Sequence, residues 1–85
     1  MPFGAHKGRL LSQLPLGQNA QILAVQATST EIFGYLEQRG LLPGRCVSVV
    51  EAAPLQGPLT VRVEGIEVAL GLLLAELIVV QPVSP

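Results

Sequence analysis

Few residues in this sequence suit covalent chemistry. The 85 residues contain no aspartate and no tryptophan, one cysteine (Cys46), one histidine (His6) and three aromatic residues (Phe3, Phe33 and Tyr35). One cysteine excludes a disulfide framework. Without aspartate, Asp-based triads and dyads are excluded as well. A Cys–His nucleophile would need His6 to meet Cys46 beside a third, orienting group. The simpler expectation is a tail histidine and a packed cysteine, because a free thiol usually behaves as a small buried hydrophobe. Five of the six glutamates fall at expected caps, strand ends or solvent faces. No catalytic residues are expected, and the chain reads as a non-enzyme.

Metal ligands are equally scarce. Structural zinc takes four Cys or His ligands, and ferrous iron favours histidine with carboxylates. The sequence therefore implies no intramolecular metal site and no cofactor; a site shared between subunits, built on His6 and a glutamate, is the one form left. Gly40 to Gly44 reads Gly-Leu-Leu-Pro-Gly, which lacks the lysine and following Ser/Thr of a phosphate-binding loop. Charge is also low, at 13% of residues with a net of -1. Lys7, Arg9, Arg39, Arg45 and Arg62 are scattered, with no basic patch for nucleic acid. Residues 1–17 have no apolar core of the secretory type. The longest apolar run, Val68 to Ala75, is far short of the ~20 residues that cross a bilayer. The expectation is a soluble cytoplasmic protein with no nucleic-acid partner and no membrane insertion.

What the chain has is apolar residues, 49% of the total, in patterns that define short elements. One domain is expected over residues 8–81, with 1–7 and 82–85 as flexible tails. Leu10, Leu11 and Leu14, before Pro15 and Gly17, read as an apolar anchor closed by a turn. Residues 21–27 form a strand candidate. Thr28 with Glu31 makes a capping box, and Ala27 is placed to staple onto Ile32. Ile32, Tyr35, Leu36 and Arg39 share one side of the helix that follows. Gly34 costs this helix roughly 1 kcal/mol relative to alanine and is assigned to close packing against a neighbour. Gly40 suits the left-handed residue that ends a helix, with Leu41 packing back on Leu36. Pro43-Gly44 is a type II turn signal. A strand is expected over residues 45–51, with Val47 and Val49 on one face. Pro54 to Pro58, around Gly57, is a loop.

The final hairpin has a defined register. With Glu64-Gly65 as a two-residue turn, Val63 faces Ile66, Val61 faces Val68 and Leu59 faces Leu70. On the other side Arg62 faces Glu67 and Thr60 faces Ala69. Residues 71–76 read as one helical turn and residues 77–81 as the last strand. Five short strands and one helix imply a small antiparallel barrel, closed or partly closed. Leu72, Leu73 and Leu74 are consecutive on the short turn, which cannot bury all three. At least one, Leu72 or Leu73, should face outward as part of an interaction surface; the alternative is that the turn plugs the barrel end and the leucines pack under the N-terminal anchor. With only three aromatic residues, a groove for proline-rich peptides is not favoured.

The ordered motifs resemble the FeoA family over nearly the whole chain. Residues 35–44 (Tyr-Leu-Glu-Gln-Arg-Gly-Leu-Leu-Pro-Gly) match its helix end and Gly-Leu-x-Pro-Gly turn through Gly40, Pro43 and Gly44. Pro54, Gly57 and Pro58 match its Pro-Leu-x-Gly-Pro loop. Gly65, Ala69-Leu70, Ala75 and Ile78-Val79 match the closing hairpin, short helix and last strand, and Leu11, Leu14 and Gly17 its opening. The resemblance implies an all-β, SH3-like, five-stranded antiparallel barrel, with one helix between the first two strands and a short helical turn before the last. It also implies an accessory of ferrous iron uptake that binds and modulates the cytosolic domain of FeoB, a membrane transporter. Two alternatives stand beside it. One is a homo-oligomeric interaction module built on Leu72 to Leu74; the other is the SH3-like, metal-responsive domain of DtxR-type repressors, which is expected to need an upstream DNA-binding helical region and a metal-sensing domain. One departure is local: where the family usually carries arginine and further charges after Ala69-Leu70, this chain has Gly71-Leu72-Leu73-Leu74. That change points to an apolar contact on this face.

Overall fold

The computed structural model describes residues 8–83, and the readings of His6 and of the 1–7 tail lie outside them. The strands are β1 (Arg9–Leu10), β2 (Asn19–Val25), β3 (Cys46–Ala52), β4 (Leu59–Val63), β5 (Ile66–Leu70) and β6 (Ile78–Pro82). They form one antiparallel sheet in the order β1-β6-β2-β3-β4-β5. A 3-10 turn (Leu11–Gln13) follows β1, helix α1 (Thr30–Gln38) joins β2 to β3, and the short helix α2 (Leu72–Ala75) joins β5 to β6. The sequence expectation holds for all five long strands and both helical segments. Two-residue β1, paired with β6 as Arg9↔Val80 and Leu10↔Val79, is an addition too short for periodicity to reveal. Strand β6 includes Pro82, and the Val83 N–H donates to the Asn19 carbonyl (2.9 Å), so pairing continues beyond residue 81. Among the described residues, no helix is long and apolar enough to cross a membrane.

Alternation along the strands builds the core. Ala20 and Ile22, Val47 and Val49, Leu59, Val61 and Val63, and Ile78 and Val80 all point inward and are buried, with Leu11, Leu14, Leu36, Leu41, Leu70 and Ala75 closing the ends. Two bulges curl the sheet. Leu23 is the extra residue between the Ile22↔Val80 and Ala24↔Val79 pairs, and Val50 lies between Val49↔Val61 and Glu51↔Thr60. A bulge bends its strand and increases the local twist, which lets so short a sheet wrap around one core. Past the bulge at Leu23 the alternation shifts by one, so Leu23 and Ala24 are both exposed and Val25 packs against the core.

The hairpin register is the one that alternation dictates: Leu59↔Leu70, Thr60↔Ala69, Val61↔Val68, Arg62↔Glu67 and Val63↔Ile66. Glu64 and Gly65 both take positive φ (52° and 84°), as a type I′ turn requires. Glutamate is an unusual first residue there, and its carboxylate is held by Arg45 (Nη1 to Oε1, 2.9 Å). Arg62 and Glu67 form the expected cross-strand ion pair. One member departs from the expected apolar face. Ile66 is 65% exposed, because it flanks the turn at the tip of the hairpin.

Helix α1 starts one residue later than the capping box places it. Ser29, in extended conformation (φ -142°, ψ 156°), is the N-cap, and its Oγ accepts from the Ile32 N–H at 3.1 Å. The C-terminal end matches expectation. Gly40 has φ +81°, the Leu41 N–H reaches the Leu36 carbonyl (3.0 Å), and the Gly40 N–H reaches that of Glu37 (2.9 Å); these are the two bonds of a Schellman motif. The packing assigned to Gly34 is not found, since a Cβ there would meet nothing within 4 Å. Cys46 is exposed rather than packed, because it shares the outer face of β3 with Ser48, opposite Val47 and Val49.

Candidate functional site

Leu72, Leu73 and Leu74 occupy one short turn, so their side chains point in three directions. Ala75 is fully buried and fixes the turn on the core. Leu72 and Leu74 are half-buried and pack against the core cluster, while Leu73 is 79% exposed. Of the two leucines that the sequence offered as outward-facing, it is Leu73. Hydrogen bonds from the Leu74 and Ala75 N–H groups to the Gly71 carbonyl (both 3.0 Å) hold the backbone in this arrangement.

Leu74 faces α1. Together with Glu31, Ile32 and Tyr35 it lines an open, predominantly apolar groove of about 250 Å³. Of the sequence stripe Ile32, Tyr35, Leu36 and Arg39, which shares one side of the helix, only Leu36 is fully buried. Ile32 is half-buried and Tyr35 is 39% exposed. The Arg39 guanidinium lies 3.5 Å from the centre of the Tyr35 ring, and its Nη1 donates to the Tyr35 carbonyl at 3.1 Å. The two contacts hold the ring at the groove wall and put a positive charge at its end. The groove thus joins Leu74 of α2 to Ile32 and Tyr35 of α1, with Leu73 turned outward from the same short helix. Sequence reasoning singled out the α2 half and placed Ile32 and Tyr35 on one side of α1 without assigning that side a role. The available signal was tyrosine, whose hydroxyl needs water or a partner.

The glycine and proline motifs lie outside this groove and set its frame. At Gly40-Leu41-Leu42-Pro43-Gly44 the turn closes with Arg45 N–H to the Leu42 carbonyl (3.1 Å), and the Gly44 N–H donates to the Ile22 carbonyl (2.8 Å), tying the end of α1 to β2. In the Pro54–Pro58 loop the Ala53 N–H meets the Pro58 carbonyl and the Gly57 N–H that of Pro54 (both 3.1 Å). A Cβ at Gly57 would come within 2.7 Å of the Ala53 Cβ, so only glycine fits without a shift. Gly65 forms the hairpin tip.

The chemistry of the surface is that of contact. All six glutamates are exposed, and among the described residues there is no buried polar side chain and no cluster of three or more His, Cys, Asp or Glu residues able to hold a metal ion. What the arrangement can do is bury apolar area against another surface, with Glu31 and Arg39 at its rim.

Comparison with known proteins agrees with the fold. The FeoA domain family model matches residues 9–82. Among curated proteins, none is significantly similar in sequence. Among solved structures, an iron uptake regulatory protein (FeoA) is 26% identical over 89% of this chain and 99% of its own, with a TM-score of 0.82. A zinc-complexed FeoA from Stenotrophomonas maltophilia is 32% identical over 84% of this chain and 87% of its own, with a TM-score of 0.72. It is reported as a prokaryotic SH3 domain protein and a candidate activating factor of bacterial ferrous iron transport. IdeR from T. acidophilum matches at a TM-score of 0.81, with 19% identity over 92% of this chain and 35% of its own; at that identity the likeness is one of fold alone. With the family model spanning β1 to β6 and the SH3-like barrel common to these structures, the chain belongs to the FeoA family.

Proposed function

We propose that this protein is a non-enzymatic, cytoplasmic accessory of ferrous iron uptake that modulates a FeoB-type membrane transporter by docking on its cytosolic domain through the α1–α2 surface. Membership of the FeoA family supports the role in iron transport. The observation that carries the docking site is the outward Leu73, followed in the same turn by Leu74, which lines a groove with Ile32 and Tyr35. A leucine so exposed gains about 1.5–3 kcal/mol on full burial, enough to make it an anchor of a modest interface. Gly71 and three leucines stand where the family resemblance implies charged residues, which suits an apolar patch on the transporter.

Mapping of amide chemical shifts on the labelled chain, titrated with the cytosolic domain of the transporter, tests this reading. Perturbations should cluster on residues 31–35 and 72–75. A cluster elsewhere, on the Pro54–Pro58 loop for instance, would relocate the interface, and the absence of any shift would remove the docking proposal.

A further inference from the structure

The sheet has two edges, β1 and β5, and they differ in kind. Strand β1 is two residues long and carries Arg9. Strand β5 runs for five residues with no lysine, proline or bulge, devices that normally blunt an edge, and its one charge, Glu67, is paired with Arg62 of the neighbouring strand. The hairpin register fixes which of its backbone groups are free. Ile66 flanks a two-residue turn, so Ile66, Val68 and Leu70 exchange hydrogen bonds with β4, and Glu67 and Ala69 direct their N–H and C=O groups away from it. Among the described residues, no backbone or side-chain hydrogen bond from another element reaches those groups.

We infer that the free edge of β5 pairs antiparallel with the same edge of a second copy of this chain, centred on Val68 and joining two barrels through one continuous sheet. The choice of a second copy rests on the self-complementarity of the strand. In that register Glu67 and Ala69 of one copy stand opposite Ala69 and Glu67 of the other, each pair exchanging two hydrogen bonds. No like charges meet, because Glu67 faces alanine across the interface and already has Arg62 beside it within its own hairpin. Val68, half-buried in a single copy, meets Val68 of the second copy in the closely spaced type of pair. The exposed Ile66 lies opposite Leu70 of the second copy. A two-fold axis through Val68 also closes the assembly at a dimer, because it consumes the edge of both copies.

The register gives a test that reads charge. Ala69 is exposed and faces Thr60 in its own hairpin, so substitutions there leave the fold intact, which circular dichroism checks. Sedimentation equilibrium of the full chain should show reversible self-association. Ala69→Glu, which sets glutamates opposite Glu67 twice per dimer, should weaken it about tenfold, and Ala69→Lys should strengthen it by a similar factor. Leu73→Glu should leave it unchanged, which separates this contact from the α1–α2 docking surface. In parallel, amide exchange at Glu67 and Ala69 should slow as concentration rises. A wild-type chain that stays monomeric up to about 1 mM, or self-association that the two Ala69 variants shift in the same direction or not at all, would overturn the proposal.

Discussion

Gly34 and Gly40 lie in and just after the same helix, yet alanine should act on them in opposite directions. At Gly34 the backbone is helical and an added Cβ meets nothing. Gly34→Ala should therefore raise stability by about 0.5–1 kcal/mol through the lost flexibility of the unfolded chain. Gly40 holds φ +81°, where a Cβ would make only ordinary contacts with Arg45 and Val63. The cost of Gly40→Ala is thus conformational, about 1–2 kcal/mol. Urea unfolding of both variants, with shifts of opposite sign in the midpoint, checks the pair. The sequence marked Gly40 reliably because leucine and Pro-Gly follow it. It offered no means of telling a packed Gly34 from an unpacked one, since that depends on which neighbours the helix meets.

At the level of elements, the same contrast holds for helix and hairpin. The start of α1 was ambiguous in the sequence because Thr28, Ser29 and Thr30 are all capable caps. Only backbone conformation selects Ser29. Ser29→Ala should cost about 1 kcal/mol and Thr28→Ala much less, which thermal or urea unfolding of the two variants can check. The β4–β5 register, by contrast, was legible because a two-residue turn and strict alternation leave one solution in which Leu59, Val61 and Val63 are buried. Leu59 is buried opposite Leu70, so Leu59→Ala should lower stability by roughly 2–5 kcal/mol; an unchanged urea midpoint would contradict the packing. Bulges at Leu23 and Val50 escaped the sequence, as each is a one-residue irregularity inside an otherwise regular apolar strand.

On the scale of the whole molecule, the proposed function turns on what the barrel leaves uncovered. An 85-residue chain with so many leucines cannot hide them all. The excess of apolar residues on α2 announced a surface, and the packing of Ala75 decided that Leu73 is the one turned out. Half of the candidate site was hidden in the sequence because Ile32 and Tyr35 share the periodicity of core residues, and only their apposition to Leu74 turns that stripe into a groove wall. Leu72, packed on the core, is a poor site for a charge; Leu73 is the residue to change. The most direct measurement of the proposed docking is the affinity of the wild-type chain for the cytosolic domain of a FeoB-type transporter, beside Leu73→Glu and a control, Leu16→Glu, at a leucine 61% exposed outside the groove. The account predicts that Leu73→Glu weakens binding by about tenfold or more while Leu16→Glu binds as the wild type does. Equal binding by all three chains would contradict it.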